Sequence, residues 1–132
     1  MSVSARRDTL KVDTVMLQQD TGQYIAVDRD GGISSANSDA FGITMQSGSA
    51  GDPVSVCRLG FCPVIVATAA NNNAEKTELA VADNGHLDAV PTSGGGTSYV
   101  VGLSEEATSA DGSQTGAWVD CLSAGRDRTI PA

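Results

Sequence analysis

His86 is the only histidine of the chain, and it sits in the run Asp83-Asn-Gly-His-Leu-Asp88. A Ser-His or Cys-His nucleophilic pair would have to use it, because the nucleophile needs an adjacent base. No G-x-S-x-G elbow is present to offer such a serine. Asp-Asn-Gly is a hairpin signal, since Asn and Gly tolerate positive φ, so His86 is expected to be a solvated residue beside a turn. Cys57 and Cys62 form a C-x4-C pair, but structural zinc needs four ligands and the chain has no second pair. Cys121 and His86 would complete a set only by coincidence of folding. Three cysteines are an odd number, which argues against a complete disulfide framework and for free thiols in a reducing cytosol, or in a particle assembled there.

Asp28-Arg-Asp30-Gly31 begins like a calcium loop. An EF-hand wants Gly at its sixth position and Glu at its twelfth, whereas this chain has Ile33 and Asp39 there. An Asp/Gly turn is the plainer expectation. Gly94-Gly95-Gly96-Thr97 lacks the lysine of a phosphate loop and is expected to be a flexible linker. Glu105-Glu106 could supply one carboxylate of a glycosidase pair, but aromatics to stack a sugar make up only 4% of the chain. No catalytic residue, metal or cofactor is therefore expected, and the chain does not read as an enzyme.

The elements that carry these residues are β-type. The 132 residues fit one domain, and the 15 glycines with frequent Ser, Thr, Asn and Asp indicate many turns. With so few aromatics, the core must be built from Val, Ile, Leu and Ala. The net charge of −8 argues against nucleic acid and anionic membranes as partners. No apolar run reaches the roughly 18 residues of a membrane-spanning helix. Met1–Leu10 holds Arg6 and Arg7 but no following apolar stretch, so no secretory leader is expected.

Strands are expected at 12–20, 24–33, 40–46, 54–59 (stopping at Gly60), 62–69, 99–107 and 117–124. Leu79 and Val81 fall on alternate positions ahead of the Asp83-Asn84-Gly85 hairpin signal, as in a strand; residues 73–82 are also the one helical candidate. Residues 1–11 read as a flexible N-terminal arm, 12–125 as a single β domain, and 126–132 as a C-terminal tail. Val119 and Cys121 alternate toward the core, which leaves Trp118 on the other face. There it is expected at an edge or at a subunit or partner contact, where Trp is enriched.

The two halves of the domain echo each other. "AVDRDGGIS" (26–34) matches "AVADNGHLD" (80–88), "FGIT" (41–44) matches "VGLS" (101–104), and "VSVCRLG" (54–60) matches "VDCLSAG" (119–125). The growth in spacing falls in two loops, as a duplicated β-unit would show. The pseudo-repeats span about 24–60 and 78–125. This alignment sets Cys57 opposite Leu122 and Cys121 opposite Val56, the use of cysteine as a small buried hydrophobe.

The order of these pieces resembles small phage capsid cement, or decoration, proteins. The resemblance rests on Gly42-Ile43, "SGSAGDP" and Val54-Ser-Val56-Cys-Arg-Leu-Gly60, then on "DNGHLDAV", Val101-Gly102-Leu103 and "TSADGSQTGAWVDCL", and covers about residues 24–125. It implies a small β-barrel or β-sandwich, often trimeric, that binds the major capsid protein on the outside of an icosahedral head and stabilises it. It implies no catalytic residue and no cofactor, and a place in the virion assembled in the host cytoplasm. The three cysteines and the serine-rich inserted loops depart from that pattern. Arg6, Arg7 and Lys11, the basic cluster of an acidic chain, are the expected contacts to the coat; such an arm would lose its disorder on docking. The alternative function is a receptor- or carbohydrate-binding module of a head or tail fibre. Its sugar groove would draw on Trp118, Tyr24 and Tyr99.

Overall fold

A computed structural model describes residues 8–67, 77–104, 114–122 and 126–132. The chain is all-β, with nine strands and one single-turn 3-10 helix among the described residues. The strands are β1 (Asp8–Met16), β2 (Ala26–Val27), β3 (Gly42–Thr44), β4 (Pro53–Ile65), β5 (Glu78–Val81), β6 (Leu87–Ala89), β7 (Thr97–Ser104), β8 (Gln114–Asp120) and β9 (Asp127–Thr129). Paired neighbours run β2-β3-β4-β8-β7-β5-β6, with β1 added on β4 and β9 on β7. Every strand pair is antiparallel. An isolated parallel bridge from Val66 to Leu87 joins the end of β4 to β6. That bridge brings β4, β8, β7, β5 and β6 nearly into a closed ring, a small β-barrel.

β4 is the organising strand. β1 lies along one of its edges from Pro53 to Phe61. The other edge is divided, with β3 opposite Val56 and Cys57 and β8 opposite Leu59–Ile65. One strand can serve both neighbours because it is irregular in the middle. Gly60 has φ 130, a conformation that costs glycine nothing and other residues a good deal, and the β1–β4 register shifts on either side of Lys11. Bulges of this kind bend a strand and re-aim its side chains. Gly60 therefore does not end a strand, as the sequence suggests; it lets one long strand turn between two packing faces.

The core falls into two clusters as a result. Val54 and Val56 pack with Val15, Leu17 and Val27. Cys57, Cys62 and Val64, beyond and around the bend, pack with Ile43, Leu79, Leu87, Val101 and Val119. These are the Val, Ile and Leu that the composition requires. Each fully buried side chain of this size contributes roughly 1.5–3 kcal/mol.

The ends of the chain differ from expectation. β1 begins at Asp8, so residues 8–11 of the presumed arm are strand. β9 draws the presumed tail onto β7. Glu78–Val81 is strand, not helix; residues 73–76 of that candidate lie outside the described residues, as do Arg6, Arg7, Glu105 and Glu106.

The echoing segments occupy comparable places. Val27 bridges Ile33 around the first turn, and Val81 pairs with Leu87 around the second. The Asp28 N–H donates to Gly32 O, and the Ala82 N–H donates to His86 O. A Cβ on Gly42 would meet Cys57 O at 3.0 Å, and one on Gly102 would meet Trp118 O at 2.6 Å. The third match is offset, however. Ile43 pairs with Cys57 and Leu103 with Trp118, so Trp118, not Leu122, holds the place of Cys57.

Candidate functional site

The outward face of the barrel carries a row of side chains that crosses four strands. Phe61 of β4 is opposite Trp118 of β8, Trp118 opposite Leu103 of β7, and Leu103 opposite Glu78 of β5. Phe61 is buried, while Trp118 and Leu103 are 42% and 40% exposed. The Phe61 and Trp118 rings meet edge to face, with centroids 5.5 Å apart and planes at 81°, a favoured aromatic geometry. This contact fixes the indole in place. The next residues along β7 and β8, Gly102 and Val119, are paired and face the core. Gly102 allows the close approach of β7 to Trp118.

Beside this row lies an open groove of about 390 Å³, lined by Leu59, Val100, Leu103 and Trp118 with Glu78, Asp120, Arg126 and Arg128 at its borders. Arg128 grips Glu78 through two donors, Nε at 3.3 Å and Nη2 at 2.9 Å. That fork holds the guanidinium charge above its ordinary pKa. The groove thus combines apolar and charged side chains, as protein contact surfaces do.

The candidate contacts separate into those the structure brings together and those it does not. Trp118 stands in the groove, and its neighbours on β8 point inward, as alternation predicts. Lys11 lies on β1, opposite Leu59, which lines the groove; its ammonium pairs with Asp13 at 3.3 Å. The exposed apolar side chains Leu10, Val12 and Met16 share this edge strand. Leu103 and Arg128 were not singled out by sequence, because only the register reveals that they border Trp118.

The cysteines are free and buried. A hydrogen bond from Cys62 pulls the Cys57 thiol below its ordinary pKa, against the opposing effect of burial. Burial pushes Cys121 up to about 12 despite the nearby Arg126 and Arg58, so it is a neutral thiol at any ordinary pH. The His86 ring makes no hydrogen bond among the described residues. Tyr24 is buried and Tyr99 lies on β7, so Trp118 is the one aromatic of the expected sugar-binding set that stands in the groove. No group of three His, Cys, Asp or Glu among the described residues is placed to hold a metal ion.

No known family model matches the chain, and no curated protein matches it. Among solved structures, the fold is similar to the N base of the head fiber gp8.5 of bacteriophage phi29, at 14% sequence identity and a TM-score of 0.60. The likeness covers 84% of this chain and 94% of the phage protein. The β-barrel described above is therefore a known fold, nearly complete in both chains.

Proposed function

We propose that this chain is a structural protein of a phage virion that attaches to the outer surface of an icosahedral head, as a decoration or cement protein. The observation that carries the reading is the near-complete likeness in fold to a head fiber base. The groove around Trp118 and Leu103 supports it, because a protein surface would cover these exposed apolar side chains. The major capsid protein is the proposed partner, and Arg6, Arg7 and Lys11 the proposed basic contacts. In a trimer, three weak attachments would act together and raise avidity with no new contact. No reaction is proposed, and no cofactor.

The likeness to a head fiber base favours a second reading, in which the barrel is the base of a fibre. Both readings require attachment to the head. The sugar-binding reading is weaker, since Tyr24 is not available to line a groove.

Purified protein is mixed with expanded, undecorated heads of the virus that encodes it. Saturable binding at a fixed ratio to the coat, with a higher head melting temperature, is the expected result. Failure to bind the lattice at any ratio sinks both readings. Binding without a change in melting temperature favours the fibre base.

A further inference from the structure

We propose that a second cavity, on the side of the barrel bordered by Arg29, Phe41, Arg58 and Arg126, binds a carboxylate. Its volume is about 180 Å³, and its lining is completed by Asp39, Ala40 and Cys121. Three of the chain's eight Lys and Arg residues converge here although the chain as a whole carries −8. Against them stands one lining carboxylate, Asp39, which pairs with Arg126. Cys121 adds no negative charge, because its thiol stays protonated.

Protein contacts place two of the three guanidinium groups. Arg58 lies 3.9 Å and Arg29 4.9 Å from the Phe41 ring centroid, so one ring draws two like charges together. Arg58 is fixed by its Nε–H to Phe41 O at 2.9 Å and by a contact to Cys121 O at 3.4 Å. Its ion pair with Asp13 is long, at 3.4 Å. Arg126 is fixed by Val100 O and Asp120 O. The carbonyl oxygens orient these two guanidiniums, and Asp13 and Asp39 each offset one of their charges, so Arg29 carries the excess. Arg29 makes no hydrogen bond or ion pair among the described residues, so all five of its N–H donors face solvent or the cavity mouth. A planar carboxylate fits such forks two bonds at a time. It would also relieve the repulsion that Phe41 imposes.

The site is independent of head attachment and is tested on the free protein. The arginine Nε–H resonances are followed by NMR while acetate, inorganic phosphate or a tetraglutamate peptide is added at constant ionic strength. Expected are saturable shifts for Arg29, Arg58 and Arg126 with acetate, while Arg128, held by Glu78 in the other groove, does not move. Arg29→Gln should weaken acetate binding roughly tenfold, the worth of one charge-assisted hydrogen bond, and Arg29→Lys should restore only part, because a point charge lacks the fork. Arg29 is exposed, so both variants should fold. Tighter binding of the peptide than of acetate assigns the carboxylate to an acidic stretch of a protein partner, and equal binding assigns it to a small free acid. Shifts that do not saturate, that Arg128 shares, or that appear with phosphate alone would overturn the proposal, as would unchanged affinity in Arg29→Gln.

Discussion

Gly102 marks the point where β7 and β8 come closest. A methyl group there would sit 2.6 Å from the Trp118 carbonyl oxygen and 3.5 Å from Val119 Cα. Both obstacles are backbone, so neither can rotate away. Gly102→Ala should cost about 1–3 kcal/mol by overpacking, read as a lower midpoint in urea. Gly42→Ala should cost less, because two of its three nearest atoms belong to the Val56 side chain at 3.0 Å. Equal losses at the two sites would break that reasoning. Cys121 gives a pH prediction at the same scale. Its folded pKa of about 12 lies above the ordinary value of 9.0, so the unfolded chain releases this proton first. Stability should be full below pH 9 and fall as pH rises from 9 toward 12. The comparison is with Cys121→Ala, which isolates this one thiol. That variant should start less stable and lose less over the same window. Parallel losses would show that Cys121 is not the group responsible.

At the scale of elements, the sequence is legible where structure is local. The turn at Asp83-Asn-Gly is one such place, with Asn84 at φ 62; the inward set of β8 is another, since alternation over seven residues is visible without a partner strand. β1 is legible only in part. Residues 12–16 fall within the strand expected at 12–20, but Leu10 and Val12 point outward and burial begins only at Val15, so no buried residue announces the start at Asp8. β4 is legible as two strands, at 54–59 and 62–69, because Gly60 looks like a stop and acts as a bend. The two cavities are illegible because they depend on register. Arg29, Arg58 and Arg126 are distant in sequence and adjacent only after folding. This revises how an arm should be tested. Deleting residues 2–7 removes Arg6 and Arg7 and leaves β1 whole. Attachment to heads should weaken while β1 keeps its pairing with β4. Deleting through Lys11 also strips the partners of Leu59, Gly60 and Phe61 from β4 and should lower the melting temperature of the free protein. If the shorter deletion leaves attachment unchanged, the basic pair has no part in docking.

For the whole molecule, the question is what covers the outward row. Isolated exposed apolar residues are ordinary, but Trp118 and Leu103 are paired across strands and share a groove with Leu59 and Val100. A monomer would keep this patch in water. A trimer, or a head surface, would bury it. Leu103→Lys separates the two by placing a charge in the middle of the row. The side chain is already 40% exposed, so the free fold should lose little, within about 0.5–1 kcal/mol for a surface change. If the row is the subunit contact, sedimentation should show a trimer for the parent protein and a monomer for the variant, and head binding should fall with the lost avidity. If the row faces the coat, the variant should stay trimeric and fail to bind heads, because an unpaired charge buried at an interface leaves a large desolvation penalty uncompensated. A variant that assembles and binds as the parent does would remove Trp118 and Leu103 from any contact, and leave attachment to the arm.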